Sequence, residues 1–208
     1  MTRVLIADDH PVVREGVRRI LQGAVEMEIV GEVGRADEVV PAAARLKPDV
    51  LILDIGMPGP DFLEVLAALP GASPGVRTLI LSAHAEEDFA VRALRGGAQG
   101  YLTKGYAPGE LVDAVRRVAQ GRRYVTSAFA EQLALGLGGE GKAPHEKLSN
   151  REFEVFRLLA GGASLKEIGA QLSVNPKTVS TFRARILEKL GARTNADLVR
   201  YAIEHHLI

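Results

Sequence analysis

The chain contains no cysteine. That excludes disulfides and thiolate metal sites, and agrees with a reducing compartment, so a cytoplasmic protein is expected. Long hydrophobic runs are missing too. No apolar stretch approaches the ~18 residues of a spanning helix, so no membrane partner is expected. The N-terminus runs straight into a strand pattern, and no signal peptide is expected. Net charge is also absent: 26 Lys and Arg stand against 26 Asp and Glu. The balance hides an asymmetry. Residues 1–147 carry 17 basic and 20 acidic side chains, a net −3, and residues 148–208 carry 9 and 6, a net +3. An acidic part joined to a basic part points the second towards nucleic acid. The 208 residues, 47% hydrophobic and 25% charged, suit one or two ordinary globular domains.

What is present is organised around Val50-Leu51-Ile52-Leu53-Asp54. Four apolar residues between Pro48 and the Gly56/Pro58 pair read as a strand buried on both faces, with Asp54 at its carboxyl end. An Asp there can simply cap a turn. Three other strand patterns end in functional groups as well: residues 3–9 in Asp8 and Asp9, residues 76–82 in Ser82, and residues 98–104 in Lys104. A weaker strand covers residues 28–33. Each strand precedes a helical pattern, at 12–21, about 36–46, 62–69, about 86–95, and from Pro108 to Gly121. Five such βα units predict a doubly wound, five-stranded parallel sheet. Open α/β sheets bind ligands outside the carboxyl ends of their strands. Parallel strands would therefore bring three carboxylates, a hydroxyl and an ammonium to one rim. Clustered oxygens without His or Cys suit a hard ion such as Mg2+, and a lysine and hydroxyl beside them suit a phosphoryl group carried on a carboxylate.

Residues 126–135 read as one more helix, and Gly136 to Pro144, with four glycines, as a flexible linker. The expected division is 1–122, then 123–147 as helix and linker, then 148–208. The last segment holds four helical patterns and no strand. Ser149 and Ser164 each precede a Glu three residues on, the capping-box spacing. Ser173 to Pro176 forms a turn into a helix from Lys177 to Leu190, with Val179, Phe182, Ile186 and Leu190 facing inwards. Asn195 is expected to cap the last helix. A short basic helix after a tight turn is what the major groove admits.

Asp8-Asp9, Asp54 with Met57-Pro58, Ser82-Ala83, Tyr101 and Lys104 resemble the receiver domain of two-component response regulators, a flavodoxin-like fold. Leu148 to Glu152, Lys166 to Gly169, Lys177 to Val179 and Lys189 to Gly191 resemble a LuxR-type helix-turn-helix. Together they resemble the NarL/FixJ family of transcriptional response regulators. The resemblance implies a DNA-binding regulator rather than an enzyme, with Asp54 taking phosphate from a sensor histidine kinase. It implies Mg2+ held by Asp8, Asp9, Asp54 and the Gly56 carbonyl, Lys104 pairing with the phosphate, and Ser82 and Tyr101 moving in response. It implies a homodimer on phosphorylation or on promoter DNA. Lys177, Ser180, Thr181, Arg183 and Arg185 would lie near bases, and Lys166, Thr178 and Lys189 near phosphates.

The sequence departs from that family in places. Phe62 stands where a glycine usually follows the Met-Pro loop, and Phe182 stands where a histidine is frequent. Gly56 offers no side chain to an attacking water, whereas His84, two residues after Ser82, can; both are expected to set the lifetime of the phosphate. Two further readings stay open: a DNA-binding regulator that does not depend on phosphorylation, and a phosphotransferase or phosphohydrolase using Asp54. Against the second stand the lack of a second Asp two residues after Asp54 and of a phosphate-cradling Gly-x-x-x-x-Gly-Lys loop.

Overall fold

The structure, a computed structural model, describes residues 1–82, 87–125, 144–172, 174–205 and 207–208. The chain forms two compact units, Met1–Gly139 and Glu140–Ile208. In the first, strands β1 (Thr2–Ala7), β2 (Met27–Val33), β3 (Val50–Asp54), β4 (Arg77–Ser82) and β5 (Gly100–Thr103) alternate with helices α1 (Pro11–Gln22), α2 (Ala36–Leu46), α3 (Phe62–Ala72), α4 (Glu87–Arg95) and α5 (Pro108–Ala119). All strand pairs are parallel and the order is β2-β1-β3-β4-β5.

The unbroken apolar character of the strands is explained by burial on both faces. All five β3 residues are buried. Alternate strand residues Val4, Ile6, Val50, Ile52, Leu79, Leu81 and Leu102 form one core layer with Val17 and Leu21 of α1 and Leu111, Val115 and Val118 of α5. Leu5, Leu51, Leu53 and Ile80, pointing the other way by strand alternation, are equally buried. Phe62 is 3% exposed and opens α3, where the Asp61 side chain caps by accepting from the Leu63 amide. Phe62 counts among the buried core residues.

Some boundaries differ from expectation. β5 is shorter than residues 98–104; just before it, the Gln99 side-chain oxygen accepts a hydrogen bond from the Thr78 amide at 2.6 Å. α3 runs past Leu69 to Ala72. The helix expected over 126–135 and the linker from Gly136 lie outside the described residues, except for the linker's last residue, Pro144.

The second unit begins with a short 3-10 turn (Pro144–Lys147), followed by α6 (Asn150–Ala160), α7 (Leu165–Gln171), α8 (Pro176–Leu190) and α9 (Asn195–Glu204). Phe153, Phe156, Leu159, Ile168, Val179, Ile186, Leu198 and Ala202 make its core. Ser149 and Ser164 cap α6 and α7 in capping boxes with Glu152 and Glu167. α9 is capped by Thr194 rather than by Asn195. The Thr194 hydroxyl accepts from the Asp197 amide, and Asp197 accepts from the Thr194 amide, a reciprocal pair that Asn195 does not form. The turn between α7 and α8 depends on Gly169: a Cβ there would lie 2.8 Å from the Val174 carbonyl oxygen.

Candidate functional site

The direction of strand order reverses between β1 and β3, which makes their carboxyl ends the switch-point crevice of the sheet. Ala7 pairs with Leu53 in register, so the next residues, Asp8 and Asp54, emerge side by side. Both are nearly sealed from solvent, at 2% and 4% exposure. The Lys104 amide donates to the Ser82 carbonyl at 2.7 Å, fixing the lysine beyond the end of β5. Its ammonium then lies 2.7 Å from Asp8 Oδ2 and 2.9 Å from Asp54 Oδ2. The Gly56 amide donates to Asp54 Oδ1 at 3.2 Å.

Electrostatics here is a contest between burial and pairing. Burial pushes the Asp54 carboxyl above its ordinary range; Lys104 opposes that, and the Asp8 charge adds to it. Burial pulls the Lys104 ammonium down, but Asp54 and Asp8 outweigh it and hold the lysine up. Asp9 is more open and lies with Oδ1 2.8 Å from His10 Nδ1. Asp8 Oδ1 accepts from the His10 amide at 2.8 Å. Ligand atoms of Asp8, Asp9, His10 and Asp54 all lie within 4.8 Å of one another. Asp8 Oδ2 lies against the Lys104 ammonium and Asp9 Oδ1 against the His10 imidazole. Carboxylate oxygens gathered this closely suit a small divalent cation.

Ser82 is fully buried at the end of β4, one residue beyond the pairing of Asp54 with Leu81. Tyr101 is 6% exposed and pairs with Ile80, so it sits two positions below the rim. The sequence-selected Asp8, Asp9, Asp54 and Lys104 are thus brought together, with Ser82 beside them and Tyr101 beneath. His84 lies outside the described residues. His10 was not singled out from the sequence; its one signal was adjacency to the Asp8-Asp9 pair.

On α8, Lys177, Thr178, Ser180, Thr181 and Arg185 are exposed, as is Lys166 on α7. Val179 and Ile186 are fully buried, whereas Phe182 and Leu190 are only partly so. Two basic groups have partners within the unit. Arg183 Nε donates to Asn195 Oδ1 at 2.6 Å. The Lys189 ammonium is 2.5 Å from Glu152 Oε2, an acid with 3% of its side chain exposed.

Residues 4–116 match the response regulator receiver domain, and residues 146–202 match the bacterial regulatory proteins of the luxR family. The chain belongs to the NarL/FixJ family of response regulators. Relatives in this family include the response regulator GacA of Pseudomonas viridiflava, 36% identical over 210 residues, covering 100% of this chain and 98% of that one. The response regulator UvrY of Escherichia coli strain K12 is 36% identical over 209 residues, covering 100% and 96%. Among solved structures, RcsB from Salmonella enterica serovar Typhimurium, bound to promoter rprA in the presence of phosphomimetic BeF3-, is similar with a TM-score of 0.61 and 27% identity, covering 97% of this chain and 98% of that one. NarL/FixJ membership makes the chain a DNA-binding transcription regulator of a two-component system, with its acidic notch on the receiver and its exposed basic helix on the luxR-type domain.

Proposed function

We propose that Asp54 is the phosphoacceptor of this regulator, and that its phosphorylation by a sensor histidine kinase controls binding of α8 to promoter DNA. The observation that carries this is the Lys104 ammonium, within 3 Å of both Asp8 and Asp54 at the sheet's switch point. A carboxylate oxygen of Asp54 attacks the phosphorus of a phosphohistidine, a P–O bond forms, and the P–N bond breaks as the imidazole leaves. Lys104 leaves Asp54 for the new phosphoryl oxygens. A phosphoryl group adds about −1.5 to −2 charge and three acceptors. Ser82 supplies a donor next to them, and Tyr101 repacks beneath Ser82, which carries the change to the surface. Mg2+ would be held by Asp8, Asp9, Asp54 and the Gly56 carbonyl, and when bound it neutralises carboxylates that otherwise repel one another.

The working division is a receiver at 1–122, a helix and linker at 123–147, and a DNA-binding domain at 148–208. Lys177, Ser180, Thr181 and Arg185 face bases, with Arg183 released from Asn195 to join them, while Lys166 and Thr178 hold phosphates. Lys189, the third candidate for a phosphate, is held by Glu152 instead and stays off the DNA. The protein acts as a cytoplasmic regulator rather than an enzyme, and binds DNA as a homodimer without a membrane partner. No described helix is long and apolar enough to cross a membrane. Phe62 is buried and β3 still ends at Asp54 beside Asp8 and Lys104, which favours a working receiver over one that has lost its phosphate switch. Beryllofluoride or acetyl phosphate with Mg2+, in a DNA shift assay, tests the proposal. Tighter binding is expected for wild type and no response for Asp54→Ala; unchanged affinity in both would leave DNA binding without a phosphate switch.

A further inference from the structure

We propose that Tyr124 is a positioning residue of the phosphate switch: its main chain straps the start of the linker to β5 at Tyr101, and phosphorylation of Asp54 opens the strap. This rests on Asp54 being the phosphoacceptor. β5 lies at one edge of the sheet, where main-chain donors and acceptors face outwards. Tyr124 takes up two of them. The Tyr101 amide donates to the Tyr124 carbonyl at 2.9 Å, and the Tyr124 amide donates to the Gln99 carbonyl at 3.0 Å. Tyr124 thus forms an isolated parallel bridge with Gly100. The residues on both sides suit this close approach. Gly121, at φ 77°, turns the chain back after α5, and the Arg122 amide donates to the Arg117 carbonyl at 3.0 Å. At Gly100 a Cβ would lie 3.2 Å from the Tyr124 Cβ and 2.8 Å from Leu79 Cδ1, so a larger residue would push strap and core apart. Tyr124 is half-buried, with the Arg117 guanidinium 5.8 Å from its ring centroid.

One residue therefore serves both the switch and the strap. The Tyr101 side chain is buried below the rim, and its amide holds Tyr124. On phosphorylation Lys104, just past the end of β5, moves to the phosphoryl oxygens, and the Tyr101 ring repacks towards Ser82. Both draw β5 inwards, away from its outer edge. An isolated bridge holds less firmly than the four-residue ladder between β4 and β5, so the strap opens while the sheet stays closed. Opening adds Arg122 to Val125, about 13 Å of extended chain, to the tether of the DNA-binding unit. A longer tether lets two such units reach paired half-sites.

Hydrogen exchange at the Tyr124 amide of the full-length chain, with and without beryllofluoride and Mg2+, reads the strap directly. About tenfold faster exchange is expected with beryllofluoride, the effect of losing hydrogen bonds of this kind. Tyr124→Pro removes the bond to Gln99 and gives a second readout. This variant is expected to bind beryllofluoride as wild type does. Its DNA affinity without beryllofluoride should rise about fivefold, and the further rise with it should vanish. Arg117→Ala, at an exposed position, loses the ring contact alone and is expected to fall between the two. A merely structural strap would lower the melting temperature of Tyr124→Pro and leave its response to beryllofluoride whole; that result would overturn the inference. So would unchanged or slower Tyr124 exchange in wild type that binds beryllofluoride, a measurement that decides alone where the proline variant does not fold. Wild type that binds no beryllofluoride would remove Asp54 as the phosphoacceptor, and the inference with it.

Discussion

Glu152 does three things at once. It accepts from the Ser149 amide at 2.7 Å, its own amide donates to the Ser149 hydroxyl at 3.3 Å, and it holds Lys189. Burial favours its neutral form, but the bonds from Lys189 and Ser149 outweigh burial and keep the carboxyl below its ordinary 4.5. A carboxyl lowered by folding stabilises the folded state above that ordinary value, and the contribution is lost as pH falls through the folded value. Glu152→Gln is therefore expected to lower the stability of the DNA-binding unit by about 1–2 kcal/mol near pH 7. The gap should close as pH drops below 4.5, read by hydrogen exchange of the α6 amides. The capping role of this residue was legible in the Ser149 to Glu152 spacing. Its grip on Lys189 was not, because the partners are 37 residues apart and only the packing of α6 on α8 joins them. Lys189, exposed and basic in the sequence, looked free for phosphate.

Among elements, the parallel strands were the most legible, since burial on both faces writes itself as an unbroken apolar run, as in β3. Ends were harder. Thr194 and Asn195 are both good capping residues side by side, and only Asp197 three residues beyond Thr194 decides between them. Of the notch, Asp8, Asp9, Asp54 and Lys104 could be read from strand ends; His10 could not, because it precedes a helix and belongs to no strand. The α7–α8 turn offers a direct test. At Gly169 a methyl group would press on the Val174 carbonyl at 2.8 Å and on Pro176 at 3.3 Å, so the two helices must part. Gly169→Ala is expected to cost about 1–3 kcal/mol in thermal unfolding and to weaken DNA binding, since α8 is presented through this turn.

At the scale of the whole molecule the two units share no net charge but divide it, −3 before residue 148 and +3 after. DNA binding should therefore weaken with salt as counterions are released by each lysine or arginine at a phosphate. Lys166→Ala is expected to reduce the slope of log affinity against log salt by about 1. Lys189→Ala should leave the slope unchanged and lower stability instead, because Glu152 already neutralises it. Equal slopes for the two variants would return Lys189 to the DNA surface.

The in-step pairing of β1 with β3 has a consequence for how this protein tolerates change. Asp8 and Asp54 meet because each is the first residue past a matched rung, Ala7 with Leu53. Their meeting is counted in whole residues, not adjusted by flexing. Deleting one residue from β3 would rotate Asp54 into the hydrophobic layers and lift Ile55 to the rim, and deleting one from β1 would put Asp9 where Asp8 stands, so the reading frame of these two strands is as much a part of the site as the acids themselves.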